Sequence, residues 1–203
     1  MRIIKKFVEN DEKIKLISNI FDSIIKNFDF IQHFDSLEFH VRDKNIVKLY
    51  NNTALISIDY NNEIIQDRDE RAIRSMILHQ LYHLIIKRRY QIDMPHLIED
   101  ILINREMIKD GYGDDVFYIY YIYLIKKKEV DFNDFIIINI PWLSFYRFDK
   151  YNSEYLKDMI KRIKYKKEYE ERTKKLFEIL KKDLTDEKNL RYAIHLYEVM
   201  LCR

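Results

Sequence analysis

Two histidines four residues apart, His79 and His83 in the stretch His79-Gln80-Leu81-Tyr82-His83, are the residues of this sequence best suited to chemistry. On a helix that spacing puts both imidazoles on one face, where two ring nitrogens can grip a single metal ion, zinc first among them. Their context sharpens the point. From Ser75 to Ile86 there are twelve residues without a charge, which predicts a helix segment buried nearly all round. A buried imidazole needs a partner, because an unsatisfied polar group in the interior costs about 1–3 kcal/mol. The helical neighbours Ala72, Ser75, Met76 and Ile86 cannot neutralise two rings. A metal can, and so can backbone groups or Tyr and Asp side chains from elsewhere in a core.

The elements that must position this pair follow from periodicity. Ile14, Ile17, Phe21, Ile24 and Phe28 recur at helical spacing, so a helix is expected from about residue 11 to 27 with Asn10 as its cap. Leu37, Phe39 and Val41 then alternate with polar residues. Together with Ile46 to Tyr50 and Ala54 to Ile58, joined at Asn51-Asn52, they predict three short strands and a small antiparallel or mixed sheet. Helical spacing returns from Arg68 to Arg89. A further helix opens at Pro95 and stops near Gly111, and another opens at Asp114-Asp115. Residues 132 to 148 fit strand or helix, with Pro141 expected to break any long element there. Two last helices are expected, Ser153 to Lys182 and Asp186 to Met200. The fold class is α+β, with a core over residues 1–150 and a helical extension over 151–203.

Strands, then a helix with two histidines four apart, then a helix carrying carboxylates: this order over residues 36 to 110 resembles the zincin metallopeptidases, in particular the glutamate-type zincins. The resemblance implies that His79 and His83 bind zinc and that a third ligand comes from the stretch Leu97 to Asn104, with Glu99 the first choice. Asp100 is its rival, sharing a face with Asn104, and Glu106 shares a face with Glu99. The departure from the family is Gln80. Zincins carry Glu there as the general base that takes a proton from zinc-bound water. A neutral amide cannot accept that proton, and general-base catalysis supplies about 10²–10⁴ in rate. The resemblance therefore implies a zinc-binding, metallopeptidase-like protein, inactive or crippled, with a peptide or protein as substrate or partner. Gln80 is either a natural loss or a deliberate Glu-to-Gln replacement. Tyr82, or a tyrosine between Tyr118 and Tyr123, is a candidate oxyanion donor for any activity that survives.

Composition narrows the remaining classes. Of 203 residues 47% are apolar, enough for a core, and only two Gly and two Pro interrupt the chain. The single cysteine, Cys202, excludes an internal disulfide and a cysteine zinc site; with no signal-like apolar N-terminus, it suggests a reducing, cytoplasmic setting. No apolar run reaches the length of a membrane span. Net charge is +2, which gives no global field toward nucleic acid. Eleven Lys or Arg between residues 157 and 182, interleaved with Tyr165 and Tyr169, form a local basic helix. A solvated amphipathic face explains them with i, i+4 pairs such as Glu171 with Lys175. The alternative function is a metal-free helical module that binds nucleic acid or a protein partner through that helix. His33, His40, His96 and His195 stand apart and read as structural or surface residues.

Overall fold

Helix caps, strand alternation and two largely buried helices account for the architecture, which is α+β. The computed structural model describes residues 1–7 and 11–201. Asn10 and Cys202 lie outside the described residues. The chain divides into two compact units, Met1–Gln91 and Ile92–Arg203.

In the first unit, β1 (Arg2–Phe7), β2 (Ser36–Arg42), β3 (Ile46–Tyr50) and β4 (Thr53–Asp59) form one sheet in the order β1-β2-β4-β3. β1 and β4 both run parallel to β2, and β3 pairs antiparallel with β4, so the sheet is mixed. The β3–β4 hairpin turns at Asn51, whose φ of 52° lies in the left-handed region that Asn tolerates. Alternation works as expected in the central strands: Leu37, Phe39 and Val41 are buried beside Ala54, Ile56 and Ile58. α1 (Glu12–Ile25) lays Ile14, Ile17, Phe21 and Ile24 into the core, and Phe21 stacks on Phe39 at 4.0 Å. Its cap is Asp11, which accepts from the Ile14 N–H.

β1 was not expected. Arg-Ile-Ile-Lys-Lys-Phe neither alternates nor shows helical spacing, and its register with β2 alone makes it a strand. Its exposed lysines suit an edge, and Lys5 reaches the Asp22 carboxylate of α1 at 2.5 Å. After a single turn, α2 (Glu63–Gln66), comes α3 (Glu70–Tyr90), which packs on β3, β4, α1 and α2. Asp69 caps its start by accepting from the Ala72 N–H, and Gln91 ends it in the left-handed region.

The second unit is helical. α4 (His96–Lys109) ends as Gly111 takes φ 89° and the Tyr112 N–H reaches back to the Met107 carbonyl at 2.8 Å. α5 (Gly113–Lys126) follows, then α6 (Phe132–Phe145). The ambiguous stretch is thus a helix, and Pro141 does not break it. Every residue from Ile138 to Phe145 is buried, and α4, α5, α7 (Lys150–Ile160) and α8 (Glu168–Leu180) all pack on α6. A helix apolar all round has no periodicity to read. Pro141 removes the donor for the Ile137 carbonyl, and Ile137 is 42% exposed, on the solvent side of the helix.

The expected long helix from 153 to 182 is also two, α7 and α8, separated by Lys161–Lys167. Ile163 is buried there, and the Lys164 backbone pairs on both sides with Lys128 and Val130. Those bonds hold the segment extended, so the basic run is divided between this irregular stretch and the exposed face of α8 that carries Arg172, Lys174 and Lys175. Several of its groups are already engaged: Lys161 with Asp158 at 2.7 Å, Lys164 with Glu129 at 3.7 Å, and the Tyr165 hydroxyl with Glu170 at 2.8 Å. α9 (Glu187–Leu201) packs on α8. Among the described residues no helix is long and apolar enough to cross a membrane.

One buried cation ties the second unit together. The Arg105 guanidinium of α4 donates to the carbonyls of Leu143 at 3.0 Å, Leu180 at 2.5 Å and Lys182 at 2.9 Å. The first two are among the carbonyls that the last turns of α6 and α8 leave without helical partners, where the helix dipole favours a cation. Burial, aided by the charge of Arg147, lowers its pKa to about 10, so it stays charged at neutral pH. Arg105→Ala should therefore destabilise the protein by about 3 kcal/mol, through stranded buried carbonyls. Urea unfolding measures this, and a loss below about 1 kcal/mol would contradict the role. The engaged basic turn generates a second expectation. At about 150 mM salt, fluorescence anisotropy should show no nucleic-acid binding tighter than the non-specific range of roughly 10⁻⁴–10⁻⁶ M. Nanomolar binding lost when Lys161, Arg162, Lys164, Lys166 and Lys167 become Gln would contradict it.

Candidate metal centre

The chemistry-bearing segment of the first unit is the middle of α3. Of the twelve uncharged residues from Ser75 to Ile86, all but His79 and Ile85 are buried, and those two are half-buried. The helix therefore carries one buried imidazole, His83, and one half-buried imidazole, His79. The two are brought together as their spacing requires: their ring centroids are 4.9 Å apart and the rings stand at 83° to each other.

Gln80 is 7% exposed. Its amide is not a fully buried polar group left without a partner; among the described residues that is Arg105 Nε alone. Tyr82 is fully buried, and its ring meets Phe28 edge-on at 5.5 Å. That packing makes it a core residue of the helix, as the aromatic face demands.

Within the second unit, α4 carries the carboxylates. Glu99 is 3% exposed, and one of its oxygens lies 3.9 Å from Nδ1 of the exposed His96. Asp100 is half-buried. Glu106 lies two turns on and pairs with Lys109 at 2.7 Å. One turn after Asp100, Asn104 is buried at 1% exposure and donates to the Tyr120 and Ser144 hydroxyls. The sequence places Asp100 and Asn104 on one face, but the partners on α5 and α6 carry no local signal, so this network was not anticipated.

The other histidines are scattered along the chain. His33 and His195 are exposed. His40 is buried in β2 between Glu38 and Arg42. Arg42 can only donate, so Nδ1 of His40 accepts and Nε2–H donates to Glu38 at 2.9 Å. Burial, with help from the Arg42 charge and against the pull of Glu38, keeps this imidazole neutral below its ordinary pKa. It is a structural histidine of the sheet.

Comparison with protein-family models, curated proteins and solved structures gives no match.

Proposed function

We propose that this chain is a zincin-like metal-binding protein in which His79 and His83 hold one divalent ion, zinc by the chemistry of the donors. A carboxylate is the third ligand, Glu99 first and Asp100 its rival as the family resemblance implies, and Gln80 leaves no peptidase activity. The observation that supports the reading is the histidine pair, whose rings stand one turn apart on α3 with centroids 4.9 Å apart. Two imidazoles and one carboxylate are the donors of catalytic zinc sites, and they leave a fourth position for water.

The amide of Gln80 can hydrogen-bond a metal-bound water but cannot take its proton, and no other base is needed if the ion is structural. Such an ion would tie the two imidazoles of α3 together, and metal binding of this kind contributes directly to folding stability.

Protein purified without a histidine tag and dialysed against a weak chelator should hold about one zinc per chain by plasma emission spectrometry. Less than about a tenth of an equivalent, with no uptake on adding zinc, contradicts the proposal. Replacing His79 or His83 with Ala should abolish retention, and Glu99→Ala should weaken it more than Asp100→Ala does. The reverse order would make Asp100 the third ligand.

Gln80→Glu restores a carboxylate of nearly the same shape beside the ion. A site kept for structure lacks the rest of a catalytic apparatus, so this variant should bind zinc and remain inert toward casein. Chelator-sensitive cleavage at a rate at least about a hundredfold above the Gln form, the scale of a general base, would instead make the chain a disarmed peptidase.

A further inference from the structure

Within the first unit, the last turns of α3 and the short 3₁₀ helix Asp29–His33 line a cleft of about 250 Å³. Phe30 and Ile85, both half-buried, give it an apolar lining, and His33, Arg88 and Arg89 give it a basic one. Among the described residues no acidic side chain lines it. Arg88 is positioned before any ligand arrives. Its Nη1 donates to the His33 carbonyl at 3.0 Å, and its guanidinium carbon lies 5.3 Å from the centre of the buried Phe34 ring. The Phe30 ring is itself fixed edge-on against Phe34 at 5.6 Å and His33 at 5.7 Å. The dipole at the end of α3 accounts for basic residues in its last turn. It does not account for an aromatic ring and an isoleucine left partly exposed in the same cleft.

We propose that this cleft binds a small monocarboxylate with an apolar body, the carboxylate on the Arg88 guanidinium and the body against Phe30 and Ile85. A guanidinium presents its donors in a planar fork that matches the two oxygens of a carboxylate. With one Arg88 nitrogen already donating to the His33 carbonyl, the remaining donors suit two oxygens better than the three of a phosphate. Sites for drug-sized ligands run to about 300–1,000 Å³, so this smaller cleft takes a single ring or a short branched chain. It lies wholly within Met1–Gln91 and includes none of the proposed metal ligands.

The test is titration of sodium benzoate into the full chain with labelled isoleucine methyl groups, followed by NMR. The Ile85 methyl should shift saturably with a Kd of about 1 mM or tighter, which is within reach of so small a ligand. Benzyl alcohol has the same ring without the charge, and it should bind at least about tenfold more weakly. Arg88→Ala should weaken benzoate binding by at least about tenfold. An Ile85 methyl unmoved at about 10 mM benzoate overturns the proposal. So does an equal affinity for benzyl alcohol, or an Arg88→Ala variant that binds like wild type. If Arg88→Ala does not fold, Arg88→Gln keeps an amide donor for the His33 carbonyl and removes the charge. The same loss is expected there, and an unchanged affinity overturns the proposal. Phenyl phosphate binding more tightly than benzoate overturns the assignment to carboxylates.

Discussion

A helix buried along most of its middle, carrying two imidazoles on one face, is the constraint around which the rest of this protein makes sense. Burying aliphatic residues stabilises a helix at about 25 cal/mol per Å² of apolar surface removed from water. Burying imidazoles and an amide works against that gain unless each polar atom finds a partner. α3 accepts both consequences. Its aliphatic residues secure it against the sheet and α1, and its two histidines present their rings one turn apart at 83° to each other. The proposed ion would bridge those rings with bonds far stronger than a neutral hydrogen bond.

The second unit engages much of its buried polarity with protein groups. Arg105 satisfies carbonyls at the ends of two helices while its Nε stays without a partner, and Asn104 links two hydroxyls across three helices. Both residues belong to α4, one turn after its Glu99-Asp100 acidic turn, and they hold that part of the helix in place before any ligand arrives, which lowers the cost of binding.

Much of this was legible in the sequence wherever one face of an element meets water. α1, β2, β3, β4, α3 and α4 follow from their periods, and the turn at Asn51 follows from its residue type. The histidine pair was legible from spacing and from the uncharged run around it. Legibility failed where periodicity vanishes or where partners are distant. β1 owes its existence to pairing with β2. α6 is apolar on every side, so neither its helicity nor its passage through Pro141 could be read. The break between α7 and α8 depends on Ile163 being buried and on backbone bonds to Lys128 and Val130, more than thirty residues earlier. The choice between Glu99 and Asp100 was open for a related reason: adjacent residues on a helix differ by about 100° in direction, and α4 has no cleanly polar side to orient them.

The most direct test of the central claim is zinc-edge X-ray absorption on the zinc-loaded protein. The account predicts a first shell of about four nitrogen and oxygen atoms near 2.0–2.1 Å, with no sulfur and with the multiple-scattering signature of two imidazoles. That signature should fall to one imidazole in His83→Ala. A six-oxygen shell without imidazole scattering, or a chain that takes up no zinc, would contradict it.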